Sequence, residues 1–215
     1  VIGEQLKQSF ANFCESTYAT DNIFVLVDER VHGLHAKRIK NFLSCFDNYH
    51  LMEVPEGEAS KSVSQWNQIV DEVLNEGLER GTPLLAIGGG VTGDLGGFVS
   101  STVLRGIPLI HMPTSLLAMV DSSIGGKTGV NHTTGKNLIG AFYQPDAVFA
   151  DIAYLETLEQ KEWVTGMAEI LKYAAIRNPE LFEEVEELVH QPHTPKQRWA
   201  EIVEESARIK PDIVQ

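Results

Sequence analysis

Short, unbroken runs of apolar residues recur along this chain with helical text between them, and that alternation constrains the fold more than any other feature. Ile23-Phe24-Val25-Leu26-Val27 ends in Asp28 and is followed by a helical pattern through Ile39, Phe42, Leu43 and Phe46. Leu51-Met52-Glu53-Val54 reads as a second strand. Ser60 is placed to cap a helix whose Val63, Trp66, Ile69, Val70, Val73 and Leu74 share a face, with Gly81-Thr82-Pro83 as its stop. Leu84-Leu85-Ala86-Ile87 and the stretches 107–111 and 147–150 complete the set of runs. A strand that is apolar at every position is covered on both faces, and strands alternating with helices imply βαβ units. The expected architecture is therefore α/β, a parallel sheet between two layers of helices. After Asp151 the strand signals stop. Helical stretches near 158–177, 180–189 and 197–209, broken by Asn178-Pro179 and by Gln191-Pro192-His193-Thr194-Pro195, read as the opening of an all-helical domain. The expected division is 1–151 and 152–215, with the second part incomplete.

The chain has 215 residues, 43% of them hydrophobic, and a formal net charge of −13. A core of that composition excludes a disordered chain, and no apolar run reaches the roughly 18 residues of a membrane helix. The acidic balance disfavours nucleic acid and anionic membrane as partners, because neutralising phosphates takes a cationic surface. A phosphate-bearing small molecule stays open to a few locally gathered cations. No secretory signal pattern is present, and Cys14 and Cys45 are far from any zinc-ligand spacing, which suits a reduced, cytoplasmic protein. Glu183, Glu184, Glu186 and Glu187 read as a solvated helix face.

Three segments carry chemistry. In Ile87-Gly88-Gly89-Gly90-Val91-Thr92-Gly93-Asp94, Gly88, Gly90 and Gly93 satisfy G-x-G-x-x-G at a strand end, where bare backbone and a helix N-terminus approach a pyrophosphate. The acidic partner usual about 20 residues on is absent, since that region reads His111-Met112-Pro113-Thr114; Asp28 is an alternative ribose ligand. The glycine- and hydroxyl-rich stretch 121–131, followed by Gly135-Lys136-Asn137, reads as a long functional connection between strands. Its Gly126-Lys127-Thr128 resembles a P-loop, but the first glycine of that motif would fall at Asp121, so nucleoside triphosphate binding of that kind is not expected. Arg105, Lys127 and Lys136 are the candidate anion clamps. Glu169 and Lys172 share a helix face within Gly166-Met167-Ala168-Glu169-Ile170-Leu171-Lys172-Tyr173. No histidine pair, with His32 and His35 at a helix start and His190 and His193 in the proline-broken loop, has helical metal-ligand spacing.

Taken with Pro55-Glu56-Gly57-Glu58-Ala59-Ser60-Lys61, Arg105-Gly106, the stretch 113–118 and Lys136-Asn137-Leu138-Ile139-Gly140, these segments in this order closely resemble the 3-dehydroquinate synthase family of sugar-phosphate cyclases. The resemblance implies a Rossmann-like NAD-binding domain followed by the start of a helical domain, with the active site between them. It implies NAD held by Asp28, Glu58, Lys61, Gly89, Gly90, Val91, Gly93, Asp94, Thr114, Ser115 and Thr157, with Lys127 and Lys136 reaching the cofactor as well. Substrate would meet Arg105, Asp121, Lys127, Lys136, Asn137 and Lys172, and Glu169 would be one ligand of a zinc or cobalt ion. The implied reaction converts 3-deoxy-D-arabino-heptulosonate 7-phosphate to 3-dehydroquinate and phosphate in the shikimate pathway, in a cytoplasmic homodimer. The family's two histidine metal ligands are expected beyond Gln215, so a chain ending there is expected to bind NAD without turnover. The alternatives are another cyclase such as 2-deoxy-scyllo-inosose synthase, a glycerol-dehydrogenase-type metal enzyme, or a non-catalytic NAD-binding module.

Overall fold

The computed structural model describes residues 1–189 and 196–214. Its elements are β1 (Ile2–Gly3), α1 (Lys7–Thr17), β2 (Asn22–Asp28), α2 (Glu29–Leu43), β3 (Asn48–Val54), α3 (Val63–Asn75), β4 (Leu84–Gly88) and α4 (Gly90–Thr102). There follow β5 (Leu109–Pro113), β6 (Lys127–His132), β7 (Gly135–Phe142), β8 (Ala147–Val148), β9 (Ala150–Asp151), α5 (Gln160–Arg177), α6 (Pro179–Val189) and α7 (Lys196–Val214). Tight 3₁₀ turns occupy Glu58–Ser60, Val103–Arg105 and Ile152–Thr157, and a wider π-helical turn occupies Ala118–Ser122.

The main sheet has the order β3-β2-β4-β5-β8, every pair parallel. Strand side chains alternate between faces, and β2 shows why a continuous apolar run is needed. Ile23, Val25 and Val27 enter one core with Leu85, Ile87, Ile110 and Met112, against Phe10 of α1 and Ile39, Phe42 and Leu43 of α2. Phe24 and Leu26 enter the other with Leu84, Ala86 and Leu109, under Ile69 and Val73 of α3 and Leu95 and Val99 of α4. Each such burial contributes about 1.5–3 kcal/mol. The first core runs on through Ile170, Ala174, Leu181, Val185, Ile202 and Val203, so α5, α6 and α7 close over the same face of the sheet as α1 and α2.

The α/β reading and the parallel sheet hold, with local corrections. Ser62, not Ser60, caps α3 by accepting from the Gln65 amide at 3.2 Å, while the Ser60 hydroxyl donates to the Pro55 carbonyl at 2.6 Å. The helix stops at Asn75 before Gly77, whose φ of +69° ends it ahead of Gly81-Thr82-Pro83. The fourth run pairs over 109–113 rather than 107–111, because Pro108 has no N–H to give a ladder and serves only as acceptor for the Leu84 amide. The run 147–150 divides between β8, on β5, and β9, which pairs with the unanticipated β1. Glu184 leaves the solvated acidic face to pair with Arg198 on α7. The loop at Gln191-Pro192-His193-Thr194-Pro195, with His190, lies outside the described residues.

The largest correction concerns the glycine-rich stretch. It forms an antiparallel hairpin of β6 and β7 lying on α4. Glycine is required for that approach: a Cβ at Gly97 would stand 2.3 Å from the Thr128 Cγ2, and one at Gly140 would stand 2.1 Å from the Thr128 carbonyl oxygen. Among the described residues no helix is long and apolar enough to cross a membrane.

Candidate functional site

A cleft of about 460 Å³ opens where the carboxyl ends of β2 and β4 meet the turns that follow them, the edge at which open parallel sheets bind ligands. β4 ends at Gly88 and α4 starts at Gly90, with Gly89 between them and no side chain capping the helix. The first-turn amides of α4 are thus left for another acceptor. A Cβ at Gly90 would come within 3.1 Å of the Ser122 hydroxyl, which is buried without a partner. The bare backbone therefore leaves a narrow cradle that a side chain would fill, as close approach of a pyrophosphate demands.

Asp28, Glu58, Lys61, Gly89, Gly90, Val91, Asp94, Thr114, Ser115 and Thr157 all line this cleft. Gly93 does not: it faces inward, where a Cβ would sit 3.5 Å from the His111 ring. Burial alone holds the His111 imidazole down to about 4, so it is neutral in the folded protein. Asp28 caps α2 by accepting from the Val31 amide at 3.1 Å; burial pushes its carboxyl up, against the pull of the Val31 and Arg30 amides. Lys61, 5% exposed, forms an ion pair with Asp94, whose carboxyl burial raises in spite of that partner.

Sequence reasoning missed His35 in this cleft. It lies inside α2 rather than at its start, at a break in the helix, and its Nε2 is 2.7 Å from the Thr157 hydroxyl. Burial and the Arg38 charge depress its pKa. Arg30, also missed, joins Glu56 at 3.2 Å and Glu159 across the cleft mouth.

The expected substrate residues fall into three groups. Asp121 sits in the turn Ala118–Ser122 and receives hydrogen bonds from the Tyr173 hydroxyl at 2.6 Å and the Lys210 ammonium at 2.9 Å. Burial pushes Asp121 up, but those two donors and the Lys172 charge outweigh it and hold the carboxyl below its ordinary range. The Tyr173 hydroxyl is pushed up by burial and by its bond to Asp121. Lys172 pairs with Glu169, as their i, i+3 spacing anticipates. This shelf adjoins the cleft, since the Asp121 charge bears on Asp94. Lys210 had no motif to mark it; only the packing of α7 on the turn brings it there.

The second group is on the hairpin. Lys136 lies 3.9 Å from Glu58, the Asn137 amide donates to the Asn131 side chain at 2.9 Å, and Lys127 is exposed at the start of β6. Arg105 is not brought in. It follows the far end of α4, about 20 Å along the helix from Gly90 at 1.5 Å per residue.

The metal is a different case from the nucleotide. Glu169, the expected ligand, pairs with Lys172, and the group of three His, Cys, Asp or Glu side chains gathered closely enough for an ion among the described residues is His50, Glu72 and Glu76, at the other end of β3 and α3. The described residues fit NAD and do not by themselves complete a metal centre beside Glu169.

The family model "3-dehydroquinate synthase N-terminal" matches residues 51–165, and "3-dehydroquinate synthase C-terminal" matches residues 166–215. A 3-dehydroquinate synthase of Dehalococcoides mccartyi is 44% identical over 221 residues, covering 100% of this chain and 60% of that protein. Among solved structures, 2-epi-5-epi-valiolone synthase from Streptomyces hygroscopicus, with NAD+ and Zn2+ bound, aligns at a TM-score of 0.87 and 28% identity, over 99% of this chain and 59% of that one. 2-Deoxy-scyllo-inosose synthase complexed with carbaglucose-6-phosphate, NAD+ and Co2+ aligns at 0.74 and 31%, over 80% of this chain and 46% of that one. The chain thus spans 60% or less of the length of each.

Proposed function

The chain belongs to the 3-dehydroquinate synthase family, and from that premise we propose that it is the NAD-binding part, with the opening helices, of an enzyme converting 3-deoxy-D-arabino-heptulosonate 7-phosphate to 3-dehydroquinate and phosphate. The observation that carries this reading is that ten of the expected cofactor residues line one cleft, with the Asp121–Lys172–Lys210 shelf beside it. The α4 amides would take the pyrophosphate, favoured by the positive end of the helix dipole, and the Asp28 carboxylate would accept from ribose hydroxyls. NAD, when bound, accepts a hydride from a ring carbon and gives it back after phosphate has left, so that no net redox change results.

Lys127, Lys136, Lys172 and Lys210 would supply the cationic lining for an anionic sugar phosphate within a chain of net charge −13. Asp121, held ionised, would accept hydrogen bonds from substrate hydroxyls, and its clamp by Tyr173 and Lys210 fixes its direction before substrate arrives. Asn137 would fix the same substrate from the hairpin. Glu169 would give one oxygen to a zinc or cobalt ion, the other ligands coming from outside the described residues. Arg105, remote from the cleft of its own chain, would meet a substrate only across a homodimer.

The test is phosphate release by the full-length protein carrying this chain, with the heptulosonate phosphate and with glucose 6-phosphate offered separately. Release from the first alone supports the synthase. Release from the second alone assigns 2-deoxy-scyllo-inosose synthase chemistry, net accumulation of NADH assigns an alcohol dehydrogenase, and NAD binding that ignores every substrate assigns a non-catalytic module.

A further inference from the structure

One side chain joins the two halves of this site without belonging to either. Asn131 donates from Nδ2 to the Glu58 carboxylate at 2.8 Å, and its Oδ1 accepts from the Asn137 amide at 2.9 Å. Its own amide donates to the Lys61 carbonyl at 2.8 Å, and Ser62 forms a parallel bridge with it. Glu58 and Lys61 line the nucleotide cleft; Lys136 and Asn137 do not. Asn137 has a φ of +57°, a left-handed conformation a non-glycine residue adopts at a cost, and its amide in that conformation donates to the Asn131 Oδ1. β6 is irregular at this residue, with the register shifting between Val130 and His132, so the side chain points across rather than along the ladder.

We propose that Asn131 is a positioning residue that makes the cofactor segment 58–61 and the hairpin tip 135–138 move as one unit, so that NAD binding orders Lys136 and Asn137 for substrate. The inference rests on the NAD-binding reading above. The amide is chemically specific: one end must donate to a carboxylate and the other must accept from an N–H. Aspartate keeps the acceptor toward Asn137 but places a second carboxylate against Glu58. Leucine keeps the size and loses both bonds.

Hydrogen exchange of the full-length protein carrying this chain, with and without NAD, tests this in wild type, Asn131→Asp and Asn131→Leu. In wild type, NAD is expected to slow exchange in the turn 88–94 and, about tenfold, at the amides of 136–138. Asn131→Asp is expected to retain slow exchange at the Asn137 amide without NAD and to lose the further slowing by NAD. Asn131→Leu is expected to exchange fast at 136–138 with or without NAD. If NAD protects 88–94 in wild type but leaves 136–138 unchanged, or if the leucine variant keeps the NAD response there, the coupling is wrong and NAD binding stands. If NAD protects neither segment in wild type, the NAD-binding reading fails and takes this inference with it.

Discussion

The turn at 88–93 and the hairpin at 127–142 are both glycine-rich, and they use glycine for opposite ends. At the turn, the missing side chain keeps a space open: the cradle at Gly90 remains because nothing fills it up to Ser122. In the hairpin the missing side chains close a space, letting β6, β7 and α4 approach to a distance that excludes a Cβ. Gly90 lines the cleft, while Gly88, Gly93 and the hairpin glycines pack against neighbours, so substitution at Gly90 and in the hairpin should separate binding from folding effects.

The largest effect is expected in the hairpin. Gly140→Ala drives a Cβ into the Thr128 carbonyl, and denaturant unfolding should show a loss of about 3 kcal/mol or more. Stability lost by less than 1 kcal/mol would mean that the hairpin can shift off α4.

Next comes the wall behind the turn. His111 is neutral down to about 4 when folded but takes its proton near 6.5 when unfolded. Above pH 6.5 it contributes no pH dependence; from there down to pH 4 the unfolded chain binds the extra proton, and stability falls by up to about 3 kcal/mol. His111→Leu should flatten that slope in unfolding curves recorded at pH 7, 5.5 and 4.5, and an unchanged slope would place the acid sensitivity elsewhere. Asp121 works in the same direction at lower pH: its depressed carboxyl stabilises the fold above its unfolded value and withdraws that support as pH falls through the folded one.

Gly90→Ala should act at the turn in the opposite sense to Gly140→Ala, weakening NAD about tenfold in calorimetry, or about 1.4 kcal/mol, while the unfolding midpoint moves little. Loss of stability without loss of NAD affinity would erase the contrast between the two segments. The smallest effect is expected for Ser62→Ala, about 1 kcal/mol from the lost cap of α3.

How much of this was legible follows the same division. β2 and β4 announced themselves because a strand buried on both faces must be apolar at every position, and α5 and α6 because their apolar residues recur at helical spacing. The hairpin did not: glycine is depleted in strands and Thr128, Val130 and Ile139 are too widely set to signal one, since the approach to α4, not local preference, forms it. Ser60 and Ser62 are equally good caps on paper, and only the claim of Pro55 on the Ser60 hydroxyl decides between them. Most of the residues that line the cleft were legible because they cluster in motifs. Lys210 and His35 were not, because each reaches its partner across 89 and 122 residues of chain.

The short strand β1 pairs with β9, Ile2 against Ala150 and Gly3 against Asp151. During synthesis its partner is therefore made about 150 residues later, which at 5–20 residues per second leaves β1 without its mate for roughly 10–30 seconds. Strands β2 to β5 can assemble in that interval, so this ladder is fastened onto a sheet already formed, before α5, α6 and α7 emerge to close over it.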